Sequence, residues 1–497
     1  MVSSLDELNL RGDAALIGPS DLARPLTGLS VDSRTVEPGH LFAALPGTQV
    51  HGVTFVQQAL DRGAVAILTD AAGARDLVVR GLAEDVAVLI SEDPRAALAR
   101  AAAAWHRAQP EHVVAVTGTN GKTSVATFLR QIWQHLGHEA VNFGTTGVEG
   151  AVSAPLAHTT PEPTELHALL ASLAERGVTH AAMEASSHGL EQRRLDGVRL
   201  AAAGFTNMSR DHLDYHPTFE AYMAAKRGLF ERVLPCTGVA VIFTDDPVSA
   251  EFRAAAEARG QQVMTVGRRD DADLRLLASR FTASGQIIRF QWQGIEMERH
   301  LPLIGSFQAS NVLLSCGLAL AVGGDADPVF ASIEALKTVR GRMEHVAERA
   351  NGASVFVDYS HTPASLATAL SAIRPHVAGR LVVVFGAGGD RDPGKRPMMG
   401  AAAAEGADIA ILTDDNPRSE NPAAIRAQVL EGSPKAVEIG DRAEAIAHGV
   451  GLLGPGDLLL IAGKGHETGQ TIGDRVLPFD DREEAIKAVA AADGCVS

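Results

Sequence analysis

The apolar residues of this chain follow two alternating patterns. Short unbroken runs, such as "HVVAVT" (112–117), "SVFVDYS" (354–360) and "ADIAILT" (407–413), are rich in Val, Ile, Leu and Ala and read as buried strands. Between them, apolar positions recur every three or four residues, the spacing of one helix face. In "KTSVATFLRQIWQHLG" (122–137) the stripe is Val125, Phe128, Leu129, Ile132, Trp133 and Leu136. "RAALARAAAAWHRAQ" (95–109) reads as another helix, opened by Asp93 at the cap and Pro94 in the first turn. Strands alternating with helices predict an α/β fold built on parallel sheets.

A chain of 497 residues exceeds one ordinary core and predicts about three domains. The helix at 95–109 closes the first, because a fresh strand begins just after it. A second border falls near "TVRGRMEHV" (338–346), where a helical pattern stops and a new strand soon begins. The expected domains are 1–108, 109–340 and 341–497. No fixed-period repeat or low-complexity tail interrupts them.

Composition narrows the partners. Hydrophobic residues make up 46% and charged residues 21%, as in soluble globular proteins, while aromatics at 4% leave the cores to Ala, Val, Leu and Ile. A formal net charge of -16 argues against nucleic acid or an anionic membrane as the main partner. Anionic ligands must then be met by local cationic pockets and backbone N–H groups. "MVSSLDELNLRGD" lacks a basic leader followed by an apolar stretch, and no apolar run approaches the roughly 20 residues that span a bilayer. Cys236, Cys316 and Cys495 are widely spaced and odd in number, which fits a reduced compartment and structural roles. A cytoplasmic monomer without membrane insertion is the expected state.

The first chemistry lies in "AVTGTNGKTS" (115–124). A common phosphate loop has a glycine, four free residues, then Gly-Lys-Thr or Gly-Lys-Ser. Here position 116 is Val116, and the extra glycine comes two residues later, at Gly118. Strand, glycine turn and helix N-terminus are nevertheless in the required order. Unpaired N–H groups and the helix dipole would face an anion, Lys122 could reach the outer phosphates, and Thr123 could ligate magnesium.

A second signal is a lysine on an apolar face. "FEAYMAAKRGLFERVL" (219–234) reads as a helix with the stripe Phe219, Tyr222, Met223, Phe230 and Val233. Lys226 falls on that inward stripe, whereas Arg227 points away. Desolvation favours a neutral amine, and only a neutral amine can add carbon dioxide to become a carbamate. Such a carbamate is a carboxylate on a long arm, suited to a hard cation. "HAAMEASSHGL" (180–190) reads as a strand ending in Glu184 followed by a polar turn, and "NMSRDHLDYH" (207–216) supplies His212.

"TGTNGKT" resembles the ATP loop of the Mur ligase superfamily, which includes folylpolyglutamate synthase. The resemblance runs the length of the chain. It implies an N-terminal α/β uridine-nucleotide domain, a central P-loop-type parallel sheet and a C-terminal Rossmann-like domain. The "DHLDYH…YxxAK" segment implies that Lys226 is carbamylated (N6-carboxylysine) and holds magnesium with Thr123, Glu184 and His212, between the ATP γ-phosphate and an acceptor carboxylate. Gly118, Thr119, Asn120, Gly121, Lys122, Thr123 and Ser124 would form the ATP loop, and Asn311 would contact adenine. "GRME" and "DYSHTP" add Arg342, Asp358 and His361 to the nucleotide set.

Other segments resemble one branch of that family. "SVDSRTVEPGHLFAALPGTQVHG" (30–52) matches a uridine diphosphate sugar site, giving Val31, Ser33, Thr48, Gln49 and Val50. "HTTPEPTELH" and "SSHGLEQRR" match segments that hold the muramoyl dipeptide, giving Thr159, Thr160, Ser186, Gln192 and Arg194. Arg194 would offer its fork of donors to a substrate carboxylate or phosphate. "TDDNPRSENP" (413–422) carries the "DNPR" signature of ligases that accept meso-diaminopimelate, whose far end bears an amine and a carboxylate. Asp415, Asn416, Pro417 and Arg418 would bind that end, with Arg391, Gly463 and Glu467. Ser124, Gln308 and His158 depart from frequent family residues.

The implied activity is an ATP- and Mg2+-dependent ligase that joins meso-diaminopimelate to the D-glutamate of UDP-MurNAc-L-Ala-D-Glu through an acyl phosphate, in peptidoglycan precursor synthesis. Exclusion of water from that intermediate would call for closure of the C-terminal domain. The alternatives are an L-lysine-adding ligase, the ligase adding D-Ala-D-Ala, a folylpolyglutamate synthase-like ligase, and a non-catalytic ATPase switch.

Overall fold

The computed structural model describes residues 4–8, 10, 14–17, 25–47, 50–84, 86–209, 215–282 and 285–494. The chain forms two compact units, Met1–Arg275 with Leu313–Phe330, and Leu276–Val312 with Ala331–Ser497. No helix among the described residues is long and apolar enough to cross a membrane.

The first unit holds two sheets. In the smaller, strand Ala15–Ile17 runs antiparallel to Ala87–Ile90, followed in parallel by Ala66–Thr69, His40–Ala43 and Gly28–Ser30. Leu41, Leu68 and Leu89 pack there against Leu98 of helix Pro94–His106. Asp93 caps that helix by accepting from the Ala96 N–H, as the sequence predicts.

The larger sheet of this unit orders its strands Gln262–Gly267, Val239–Phe243, Leu200–Phe205, His112–Thr117, His180–Glu184, Ala140–Gly144 and Gly147–Gly150. All pairings are parallel except the last. His112–Thr117 is flanked by strands on both sides, and Val113 to Val116 are fully buried, as an unbroken apolar run requires. From this strand the chain leaves for one side of the sheet through helix Lys122–His135 and later returns to the other. Parallel sheets that reverse direction in this way open a crevice at the carboxyl ends of their strands.

Helix Pro163–Glu175 packs on helix Pro94–His106 and buries His167, whose ring nitrogens have no hydrogen-bond partner among the described residues. Burial, with smaller contributions from His106 and Arg199, pushes its pKa down to about 3. The unfolded chain takes up this proton near the ordinary histidine pKa of about 6.5, and the folded chain takes it up only near 3. Stability from the neutral ring is therefore complete above about 6.5 and is lost as pH falls toward 3, by at most about 1.4 kcal/mol per pH unit. Denaturant unfolding of His167→Leu between pH 7 and 4.5 is expected to show a shallower slope than the parent; equal slopes would contradict this.

In the second unit, Glu344–Glu348 pairs antiparallel with Ser354–Asp358, and Leu458–Ala462, Leu381–Phe385, Ile409–Leu412 and Val437–Glu438 follow in parallel. Strand Leu381–Phe385 sends Leu381, Val383 and Phe385 into one core layer and Val382 and Val384 into the other. Helices cover both faces, the Rossmann-like arrangement. A hairpin, Gly469–Ile472 with Arg475–Pro478, follows the last long strand. The Glu344–Glu348 strand was not predicted, because "EHVAE" is half polar and lies at a sheet edge.

Candidate active site

Strand His112–Thr117 ends in the glycine loop, and helix Lys122–His135 begins at its far side. Gly118 has φ +142°, and a Cβ there would run into the Thr206 hydroxyl and the Asn207 backbone. The displaced glycine is thus explained by a neighbouring chain segment that crowds it. That segment is placed by the register Phe205↔Thr117, which sets the residues after each strand side by side. Asn207 accepts from the Thr119 N–H with its carbonyl (2.7 Å) and from the Asn120 N–H with Oδ1 (3.0 Å). Thr206 Oγ1 donates to the Asn120 carbonyl at 2.7 Å. Lys122 Nζ donates to the carbonyls of Gly118 (2.9 Å) and Thr119 (2.8 Å). Gly121, at φ +86°, turns the chain into the helix, whose first N–H groups face the loop.

Two more elements meet this loop. The register Val116↔Glu184 sets the end of strand His180–Glu184 beside it. Buried Glu184 accepts from Thr123 Oγ1 (3.0 Å) and the Thr145 N–H (2.9 Å) on Oε1, and from Thr145 Oγ1 (3.3 Å) on Oε2. Gly144 leaves the room this carboxylate occupies. Lys226 lies on helix Phe219–Gly228 and is 1% exposed, as its place on the apolar stripe predicts. Its Nζ donates to the Gly118 carbonyl at 2.7 Å and sits 4.7 Å from the Tyr222 ring centroid. The Tyr222 hydroxyl is 3.2 Å from Thr119 Oγ1. Beyond Gly228 the helix widens into a π-turn, Leu229–Val233. Arg227 turns outward to Glu231 and Glu251.

Thr123 and Glu184 offer hard oxygen donors, the set magnesium takes when phosphates and water complete its octahedron. Among the described residues no cluster of three or more His, Cys, Asp or Glu could hold a metal. His212 lies outside the described residues, as do Thr48 and Gln49.

After Glu184 the expected polar turn is a short helix, Ser187–Glu191, capped by Ser186 through the Gly189 N–H. Thr160 Oγ1 donates to the Glu184 carbonyl (3.0 Å) and lies 3.0 Å from Ser186 Oγ. Thr159 Oγ1 is 3.2 Å from Thr145 Oγ1. Arg194 donates to the Thr160 carbonyl (2.7 Å) and Gln192 Oε1 (2.8 Å) and pairs with Glu162. The fork that the sequence reading gave to a substrate anion is here engaged within the wall. Gln192 also donates to the Tyr215 hydroxyl at 3.1 Å. His158 is exposed. In the smaller sheet's surroundings, Ser33 Oγ donates to Gln58 Oε1 (2.7 Å), Val31 packs on the core, and Val50 is exposed.

The second unit carries the other expected groups. Asn311 is buried beside Gln308. Burial raises the Asp358 pKa, opposed by the Ser360 hydroxyl, Arg342 and the Met343 N–H. The Arg342 guanidinium stacks 4.6 Å over the Tyr359 ring, which also neighbours His361 and His466. Burial and Arg342 push the His466 pKa down to about 4. His361 Nδ1 lies 2.9 Å from the Tyr359 carbonyl.

Residues 413–421 form a loop, tied down on two sides, that leads into helix Pro422–Leu430. Toward residues 386–392, the Gly389 N–H donates to the Asn416 carbonyl (2.9 Å) and Arg418 donates to the Gly389 carbonyl (2.7 Å). Toward the hairpin, the Arg418 N–H donates to the Thr471 carbonyl (3.0 Å), and Gln470 donates to the Asp415 carbonyl (2.9 Å). Arg418 holds φ +51°, a left-handed conformation costly for a residue with a side chain. Asn416 Nδ2 donates to Glu467 Oε2 at 2.9 Å. Gly463, at φ +126°, gives way to the Asp415 carboxylate. Pro417 lies against Gly389, and Arg391 is exposed. The structure thus gathers Asp415, Asn416, Pro417, Arg418, Gly463 and Glu467.

Sequence reading passed over Thr206, Asn207, Thr145, Tyr359, His466, Lys464 and Gln470. The last two lie in "AGKGHETGQ" with singled-out Gly463 and Glu467, and Thr206 and Asn207 stand in "FTNMS", at the start of the segment supplying His212. Parallel adjacency of the strands was the missing piece.

Three family models match the chain: "Mur ligase family, catalytic domain" over residues 25–106, "Mur ligase middle domain" over 116–319, and "Mur ligase, glutamate ligase domain" over 341–465. A UDP-N-acetylmuramoyl-L-alanyl-D-glutamate–2,6-diaminopimelate ligase of Bradyrhizobium diazoefficiens is 51% identical over 491 residues, covering 97% of this chain and 99% of the relative. A like-named protein of Caulobacter vibrioides is 50% identical, covering 94% and 96%. A solved structure of a ligase of that name superposes with a TM-score of 0.74 at 34% identity, covering 99% of each chain. Folylpolyglutamate synthase of Mycobacterium tuberculosis, at 22% identity and a TM-score of 0.61, shares the fold over 74% of this chain and 92% of its own.

Proposed function

The chain belongs to the Mur ligase family, and from that premise we infer that it joins meso-diaminopimelate to UDP-MurNAc-L-Ala-D-Glu at the expense of ATP. The observation that carries the chemistry is the convergence of Lys122, Lys226 and the Thr123–Glu184 pair on one glycine loop. We assign residues 1–108 to the uridine nucleotide, 109–340 to phosphoryl transfer and 341–497 to the amino acid. The reading places the enzyme in the cytoplasm as a monomer.

The loop N–H groups and Lys122 bind the ATP phosphates. Thr123, Glu184 and His212 hold magnesium, together with Lys226 once its neutral amine has taken up carbon dioxide and released a proton. The ion offsets phosphate charge when bound. Lys122 steadies the charge on the γ-phosphoryl group as it passes to the D-glutamate side-chain carboxylate, giving an acyl phosphate and ADP. Thr159, Thr160, Ser186, Gln192 and Arg194 orient the dipeptide; Val31, Ser33, Thr48, Gln49 and Val50 hold the uridine diphosphate sugar. Asn311, Arg342, Asp358 and His361 serve the nucleotide. The amine of diaminopimelate attacks the acyl carbon, and phosphate leaves from the tetrahedral adduct. Arg418, Arg391 and Asn416 offer N–H donors to the distal carboxylate, while Asp415 and Glu467 accept from the distal ammonium. Pro417 and Gly463 shape the loop around them.

Phosphate release from ATP and the muramoyl dipeptide is expected to require the amine, with formation of the tripeptide product by mass. A switch ATPase would release phosphate regardless of the acceptor. Preference for lysine in competition with diaminopimelate would assign the chain to a lysine-adding enzyme.

A further inference from the structure

Lys464 is fully buried beside the amine-selecting loop, and no step above uses it. Its Nζ donates to Asn416 Oδ1 at 2.9 Å and to Glu467 Oε2 at 3.3 Å. Asn416 Oδ1 also accepts from the Thr471 N–H at 2.9 Å. A lysine amine and a backbone N–H can only be met by an acceptor, so these two donors fix which end of the Asn416 amide is oxygen. Both lone pairs of that oxygen are then occupied. One amide hydrogen goes to Glu467 Oε2, and what Asn416 has left to offer is a donor. Glu467 Oε2 in turn receives two donors, which leaves Oε1 as its open acceptor among the described residues.

We propose that Lys464 is a positioning residue that sets the polarity of the amine site. Together with the Thr471 N–H it holds Asn416 as a donor toward a carboxylate, and it keeps Glu467 an acceptor toward an ammonium. The pair then reads a zwitterionic amino-acid end and disfavours an end carrying an ammonium alone. Without Lys464 the amide oxygen keeps only the Thr471 N–H and the Asn416–Glu467 pair loses its shared cation, so the donor and the acceptor are held less firmly for a zwitterionic end. The proposal rests on the diaminopimelate reading above.

The test compares meso-diaminopimelate with excess L-lysine as competing amines for the full chain, with ATP and the muramoyl dipeptide. Lys464→Met is expected to raise KM for diaminopimelate roughly 10- to 100-fold and to shift the product ratio toward lysine, with KM for ATP unchanged. Lys464→Arg, which keeps donors and charge, is expected to restore part of the selectivity. Asn416→Asp serves if Lys464→Met does not fold. It keeps the size and the acceptor for Lys464 but removes the donor, so diaminopimelate should lose more than lysine. Parental selectivity in folded Lys464→Met, or equal loss of both amines in Asn416→Asp, overturns the role of Lys464 and leaves the functional reading intact. Preference of the parent for lysine overturns both.

Discussion

Lys226→Ala is expected to lower kcat on the order of 10³-fold, with the affinity for the uridine-nucleotide substrate changed only a few-fold. Lys226 is buried with its amine on the Gly118 carbonyl, one loop away from the Thr123–Glu184 pair. A carboxylate grown on that arm would act where charge develops during phosphoryl transfer, and such groups weigh on the chemical step more than on binding. Lys226→Arg should be no better, because a guanidinium stays protonated and cannot add carbon dioxide. Steady-state kinetics of the variants, with 13C NMR of the parent in labelled bicarbonate, check both halves. A carbamate resonance present in the parent and missing from Lys226→Ala is expected. A variant that folds and keeps more than a tenth of the activity would remove the carbamate from the mechanism.

Arg418→Ala is expected to lower kcat/KM for meso-diaminopimelate on the order of 10²-fold or more, while KM for ATP holds. The guanidinium is anchored on the Gly389 carbonyl, and its backbone is locked to Thr471 and Gly473. Losing it leaves a substrate carboxylate desolvated without its partner, which costs more than one neutral hydrogen bond. Arg418→Lys should recover little, since a point charge cannot replace two parallel donors. If the loss fell equally on lysine and diaminopimelate, Arg418 would be supporting the loop rather than reading the distal carboxylate.

Much of this site was legible in order but not in space. The apolar runs and stripes marked strand His112–Thr117, helix Lys122–His135 and the inward face of Lys226, because burial imposes a period on the sequence. Which strand ends lie side by side carries no local signature. Thr206 and Asn207 therefore emerged as supports of the loop only once the register Phe205↔Thr117 was known. Lys464 was hidden differently. A lysine in a glycine-rich turn, "AGKGHE", belongs to no periodic stripe, so nothing in the pattern marks it as buried. The fork of Arg194, expected to meet a substrate anion, also pairs with Glu162, a partner within reach only after the chain has folded.

The loop that would choose the amine is held by residues 386–392, Lys464 and the hairpin ending at Pro478, all in the second unit, whereas Thr123, Glu184 and Lys226 belong to the first. Taste and engine are thus encoded in separate stretches of chain. A transplant of residues 386–478 between relatives would carry the preference for an incoming amine with it and leave the phosphate-handling residues untouched, so this enzyme design can switch diets without being rebuilt.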